Sequence, residues 1–129
     1  MGVKYKVISK GQPGVVGGGV KKFYASTVFT GEKNLDQLTK SIEKISTVNG
    51  ADIRAVLYAL VDVIADDLSN SQIVRLGDLG SLRLNVSSEG MDKETEVSAA
   101  SIKSTKLVFT PGTKLKEMQK VLKFEKHTT

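Results

Sequence analysis

The chain has 129 residues, 40% of them apolar, and a formal net charge of +5, so one domain with a core of its own is the expectation. It has no cysteine, which excludes disulfides and thiolate metal sites and fits a reducing compartment. No stretch nears the roughly 20 apolar residues of a membrane helix, and lysines interrupt Met1 to Lys10 where a signal peptide would be apolar; a soluble, cytoplasmic protein is expected.

The charge is unevenly spread. Residues 1–33 and 103–129 each carry a net +5, whereas 34–72 and 73–102 carry −3 and −2. Positive charge gathered at both ends points to a polyanionic partner.

Val3 to Ile8 alternates, and Lys21 to Phe29 is rich in Phe, Tyr, Thr and Val, so the two are predicted to pair as a β-hairpin. Between them Gly11 to Gly19 holds five glycines and Pro13. It is not a P-loop, because Val20 replaces the required lysine and a strand follows; Lys22 likewise spoils a dinucleotide-binding glycine spacing. A hairpin tip remains.

Asn34 to Gln37 has the pattern of a helix start, and Leu35, Leu38, Ile42 and Ile45 mark one buried side of a helix ending near Ser46. Thr47 to Gly50 is the turn, with Asn49 as cap of the next helix. There Ile53, Val56, Leu57, Leu60, Val61, Ile64 and Leu68 recur at offsets of three and four, and Tyr58, Ala59, Val63 and Ala65 widen the stripe. So apolar a helix belongs in a core rather than a DNA groove, and it needs cover on two faces. The period then falls to two: Val74, Leu76, Leu82, Leu84 and Val86 alternate with polar residues about a corner at Gly77 and Gly80.

Ser87 to Ser101 is polar and acidic, with Gly90 as its predicted turn. A strand resumes over Ile102 to Phe109, and Thr110-Pro111-Gly112 is predicted to open the last helix with Pro111 in its first turn. In that helix Leu115, Met118, Val121 and Leu122 face inward, with lysines over the rest. His127 and the flanking threonines are expected to form a tail.

This order resembles that of the HU/IHF histone-like bacterial proteins. Asp78-Leu79-Gly80-Ser81-Leu82 resembles the family's Gly-Phe-Gly-Thr-Phe corner, Phe109 to Lys116 the approach to its final helix, and Val97 to Ala100 the return of its arm. The added basic hairpin, Leu76 to Ser81 and Ser87 to Gly90 are similar to an extended, HU-like branch of the family. The resemblance implies an α+β, intertwined homodimer: a helical hairpin, a three-stranded antiparallel sheet with a β-arm and a C-terminal helix, after an N-terminal β-hairpin. It divides the chain into the hairpin (1–33), the HU-like domain (34–123) and a tail (124–129).

The implied function is architectural, largely sequence-independent binding of double-stranded DNA in the nucleoid, through phosphate contacts and DNA bending. Arg83, Lys103, Lys106, Lys114, Lys116 and Lys120 stand where the family contacts phosphate, and Leu57, Leu60, Ile64, Leu79, Leu82 and Phe109 where copies share a core. The arm departs from the family: no proline lies between Pro13 and Pro111, and Met91 is the one apolar residue by Gly90 able to act as a wedge. An acidic arm motivates an alternative, an HU-fold interaction or structural module with weak DNA binding. No enzyme, cofactor, metal, membrane or small-molecule substrate is expected, since the single histidine sits in the tail and Asp66-Asp67 point about 100° apart on a helix.

Overall fold

A computed structural model describes residues 2–12 and 14–128. Pro13 of the predicted hairpin tip, Thr129 of the predicted tail and Met1 lie outside the described residues. The chain divides into two compact units, residues 1–34 with 119–129 and residues 35–118.

In the first unit β1 (Val3–Lys10) pairs antiparallel with β2 (Lys22–Val28), from Lys4 opposite Val28 to Lys10 opposite Lys22, so the predicted hairpin is present. Between the strands Gly14, Gly17, Gly18 and Gly19 all have positive φ, which explains the glycine density.

The C-terminal segment is not merely a tail. Its residues Phe124–Lys126 pair parallel with β1 as a third strand, termed β6 in chain order, and the order across the sheet is β2-β1-β6. Val3 N–H donates to the Lys123 carbonyl at 2.8 Å and His127 N–H to that of Tyr5 at 2.7 Å, closing the pairing at both ends. Three residues are too few to show a period, which is why the strand is not legible as sequence.

Across this pair the Lys4 ammonium donates to the Glu125 carboxylate, which holds that carboxyl at about 2, below its usual value near 4.5. A depressed folded-state pKa stabilises above the unfolded value and stops doing so as pH falls through the folded one. Docking of β6 is therefore expected to weaken between about pH 4.5 and pH 2. Glu125→Gln should remove that dependence and hold docking at neutral pH at the weaker level the parent reaches only in acid; backbone amide exchange at residues 124–126 against pH reads it.

In the second unit α1 (Leu35–Ile45) and α2 (Gly50–Ser69) form the predicted helical hairpin. Asn49 caps α2 as expected, its side-chain oxygen accepting from Asp52 N–H at 3.0 Å. Arg54 and Asp36 meet at 3.1 Å, a solvent-exposed ion pair that adds little. Strand β3 (Val74–Arg75) pairs antiparallel with β4 (Gly80–Ser88), which pairs antiparallel with β5 (Ile102–Pro111).

Pro111 ends β5 instead of opening the last helix; α3 runs Thr113–Lys120. At the end of β5 Pro111 stands opposite Gly80, and as Gly80 begins β4 the missing N–H falls at the ladder's edge. Beyond Ser88 the excursion is no continued ribbon: it makes two short 3₁₀ turns, Glu94–Glu96 and Ala99–Ser101. Ser98 and Ser101 cap each other reciprocally in the second turn, where Ser101 is 2% exposed.

Gly80 is where the corner depends on glycine. Its φ is +144°, and an added Cβ would run into the Thr110 carbonyl and lie 2.9 Å from the Phe109 ring. Gly77 has φ +59° with open space around it. Gly80→Ala is expected to cost about 2–4 kcal/mol, against about 1 kcal/mol for Gly77→Ala, measured by urea denaturation.

Little of the chain's apolar surface is covered. Ile53 is the one buried apolar side chain among the described residues. The chain exposes 10681 Å², whereas a folded monomer of its 13.9 kDa exposes about 6700 Å² and two separate bodies of the units' sizes about 8000 Å². Along α2 the buried and half-buried stripe of Ile53, Leu57, Ile64 and Leu68 is flanked by Val56 and Val63 on one side and Tyr58 and Val61 on the other, all more than half exposed. Among the described residues no helix is long and apolar enough to cross a membrane.

Candidate nucleic-acid interface

The register of β3, β4 and β5 sorts their side chains onto two unlike faces. Val74 lies opposite Leu82, Leu82 opposite Phe109 and Leu84 opposite Leu107, which gives one apolar face. The other carries Arg75 opposite Ser81, Arg83 opposite Val108 and Asn85 opposite Lys106. Arg75, Arg83 and Lys106 therefore share one face, on which no paired residue is acidic.

The predicted phosphate-contacting residues fall into two groups. Arg83 and Lys106 are brought together on the polar sheet face. Lys103 stands apart, as the extra residue of a β-bulge between the Ser87–Ser104 and Ser88–Ile102 pairs. On α3 Lys116 and Lys120 are four residues apart and share a helix side, while Lys114 points elsewhere. All three are exposed.

Arg75 was missing from the predicted set. It shares with Lys116 a shallow groove lined by Gly77, Gly80, Ser81, Thr110, Pro111 and Gly112. The signal was available: antiparallel pairing about the Gly77–Gly80 corner sets residue 75 beside 81, and period two then puts 75 and 83 on the same side. Gly112 approaches the Asp78 backbone too closely for any Cβ, which brings the start of α3 against the corner.

Of the predicted shared-core residues, Leu57, Ile64 and Leu82 are half-buried, while Leu60, Phe109 and Leu79 remain 38%, 45% and 49% exposed. Met91 is 38% exposed in the excursion, among Glu89, Asp92, Glu94 and Glu96. No group of three or more His, Cys, Asp or Glu side chains clusters as a metal site among the described residues. The arrangement offers cations at set register positions on one sheet face, which suits phosphate binding.

The family model described as "HU domain fused to wHTH, Ig, or Glycine-rich motif" matches residues 1–126. No curated protein matches. Among solved structures, a protein of Bacteroides vulgatus ATCC 8482 described as a "Putative bacterial DNA binding protein" superposes with a TM-score of 0.67 at 16% identity, over 96% of this chain and 47% of that one. The present chain thus spans about half the length of that protein, and the likeness is one of fold.

Proposed function

Because this chain belongs to the HU-HIG family of HU domains fused to a wHTH, Ig or glycine-rich motif, we propose that it is an architectural DNA-binding protein of the bacterial nucleoid, acting as a homodimer. It binds double-stranded DNA with little regard to sequence, through phosphate contacts, and bends it. It is a binding protein and not an enzyme.

The observation that carries this reading is the two-faced sheet. Arg75, Arg83 and Lys106 on one side provide phosphate contacts, while Leu82, Leu84, Leu107 and Phe109 on the other call for an apolar partner. A second copy answers that need. The flanks of α2 and the apolar sheet face together leave exposed an area that a soluble monomer rarely carries, and an isologous dimer covers equivalent surfaces on both copies at once. Lys116, which lines the same groove as Arg75, extends the cationic surface, with Lys103, Lys114 and Lys120 as further contacts. The DNA-binding description of the Bacteroides vulgatus protein accords with this.

The acidic excursion favours a second reading, an HU-fold interaction module that binds DNA weakly, since Glu89, Asp92, Glu94 and Glu96 would be repelled by phosphate. Fluorescence anisotropy of a labelled duplex against salt separates the two. Four to eight phosphate contacts predict a log–log slope between about −3.6 and −7. Absence of binding at low salt by a verified dimer would leave only the second.

A further inference from the structure

The β2-β1-β6 sheet is also two-faced, and its register fixes the residues on each side. Lys6 opposite Ser26, Ile8 opposite Tyr24 and Lys10 opposite Lys22 share one face. The Lys10 ammonium lies 4.9 Å from the centroid of the Tyr24 ring, a contact that steers the lysine without neutralising it. Lys4 is on this face too, but Glu125 matches its charge. Lys6, Lys10 and Lys22 are exposed, none of them pairs with an acid among the described residues, and the first acidic residue of the sequence is Glu32.

The β4–β5 excursion offers the opposite, four carboxylates over residues 89–101 against Lys93 alone. The far end of the β4–β5 hairpin is therefore acidic, whereas the β1–β2 hairpin carries no acidic residue.

We propose that the Lys6, Lys10 and Lys22 face of the β1–β2 hairpin is a second DNA-contacting surface, which lies as a two-stranded ribbon along the major groove with its lysines on the flanking phosphates. This rests on the DNA-binding reading above. Lys6 and Lys10 are four residues apart in one strand, about 13 Å along the ribbon, and a major groove about 12 Å wide admits a two-stranded ribbon. Lys10 and Lys22 face each other across the strands and bring two cations to the same end of the ribbon.

The test is duplex anisotropy at graded salt on the full chain and two variants, K6Q/K10Q/K22Q and R83Q/K106Q. The hairpin triple is expected to bind at least about tenfold more weakly at 0.1 M salt and to flatten the salt slope by about 2.7 for each hairpin that engages. All three lysines are exposed, so circular dichroism and melting should match the parent; K6R/K10R/K22R, which keeps the cations, should retain binding. If the parent binds and R83Q/K106Q weakens it while the hairpin triple leaves affinity and slope unchanged, the hairpin surface is refuted and the DNA-binding reading stands. Loss of binding in a folded K6R/K10R/K22R variant would also refute a cationic role. Failure of the parent to bind at low salt would remove both.

Discussion

Leu60→Asp is expected to abolish the dimer and, with it, most of the folded population at micromolar concentration. Leu60 sits mid-way along α2 between the half-buried stripe and the exposed Val56 and Val63, and is itself 38% exposed in the single chain. If each chain were self-sufficient, an aspartate there would keep its carboxylate in water and cost about 1 kcal/mol or less. In an interior shared by two copies it would be desolvated without a cation, at about 3 kcal/mol or more. A symmetric dimer carries the substitution twice, so dissociation should rise by about four orders of magnitude. Concentration-dependent thermal melting reads the difference: the parent melts higher as protein is added, and the variant melts low and broadly or not at all.

The second large effect is expected from R83Q/K106Q. By register both stand on the polar sheet face; Lys106 is exposed, whereas Arg83 is half-buried and lines a cavity with Leu68, Leu84 and Val86, so the variant's melting is compared with the parent's before its binding is read. In a dimer four phosphate contacts disappear together. Each is worth about 0.9 in the salt slope, which should become less steep by about 3.6. At 0.1 M salt that corresponds to a loss of about three to four orders of magnitude in affinity, enough to make binding undetectable under ordinary conditions. Lys103→Gln, which removes only the cation of the bulge residue, should change affinity far less in the same titration.

The sequence carried the long elements because their signals are repeated many times. Ile53, Leu57, Ile64 and Leu68 repeat the helical period over four turns, and the Asn49 cap marks its start. The hairpin strands and the corner were equally legible, since Gly77 and Gly80 sit where positive φ is needed. What escaped was decided by contacts between segments distant in sequence. Strand β6 exists because Phe124–Lys126 meets β1, and Glu125 gains a partner in Lys4. Pro111 offers a helix start as readily as a strand end, and its pairing with Gly80 decides for the strand. The arm misled differently: polar composition is compatible with a ribbon or with turns, and the Ser98–Ser101 reciprocal caps favour turns.

The candidate interface was legible only in part for the same reason. Charge counting finds Arg83 and Lys106, but their joining with Arg75 depends on register, and register is set at the Gly77–Gly80 corner. Counting also groups Lys114 with Lys116 and Lys120, which the helical turn separates.

Sedimentation equilibrium of the chain at micromolar concentration in moderate salt tests most directly the claim that two copies share one interior. A single species of twice the 13.9 kDa chain mass is expected, with no folded monomer on dilution. A well-folded, cooperatively melting species at the mass of one chain would contradict it.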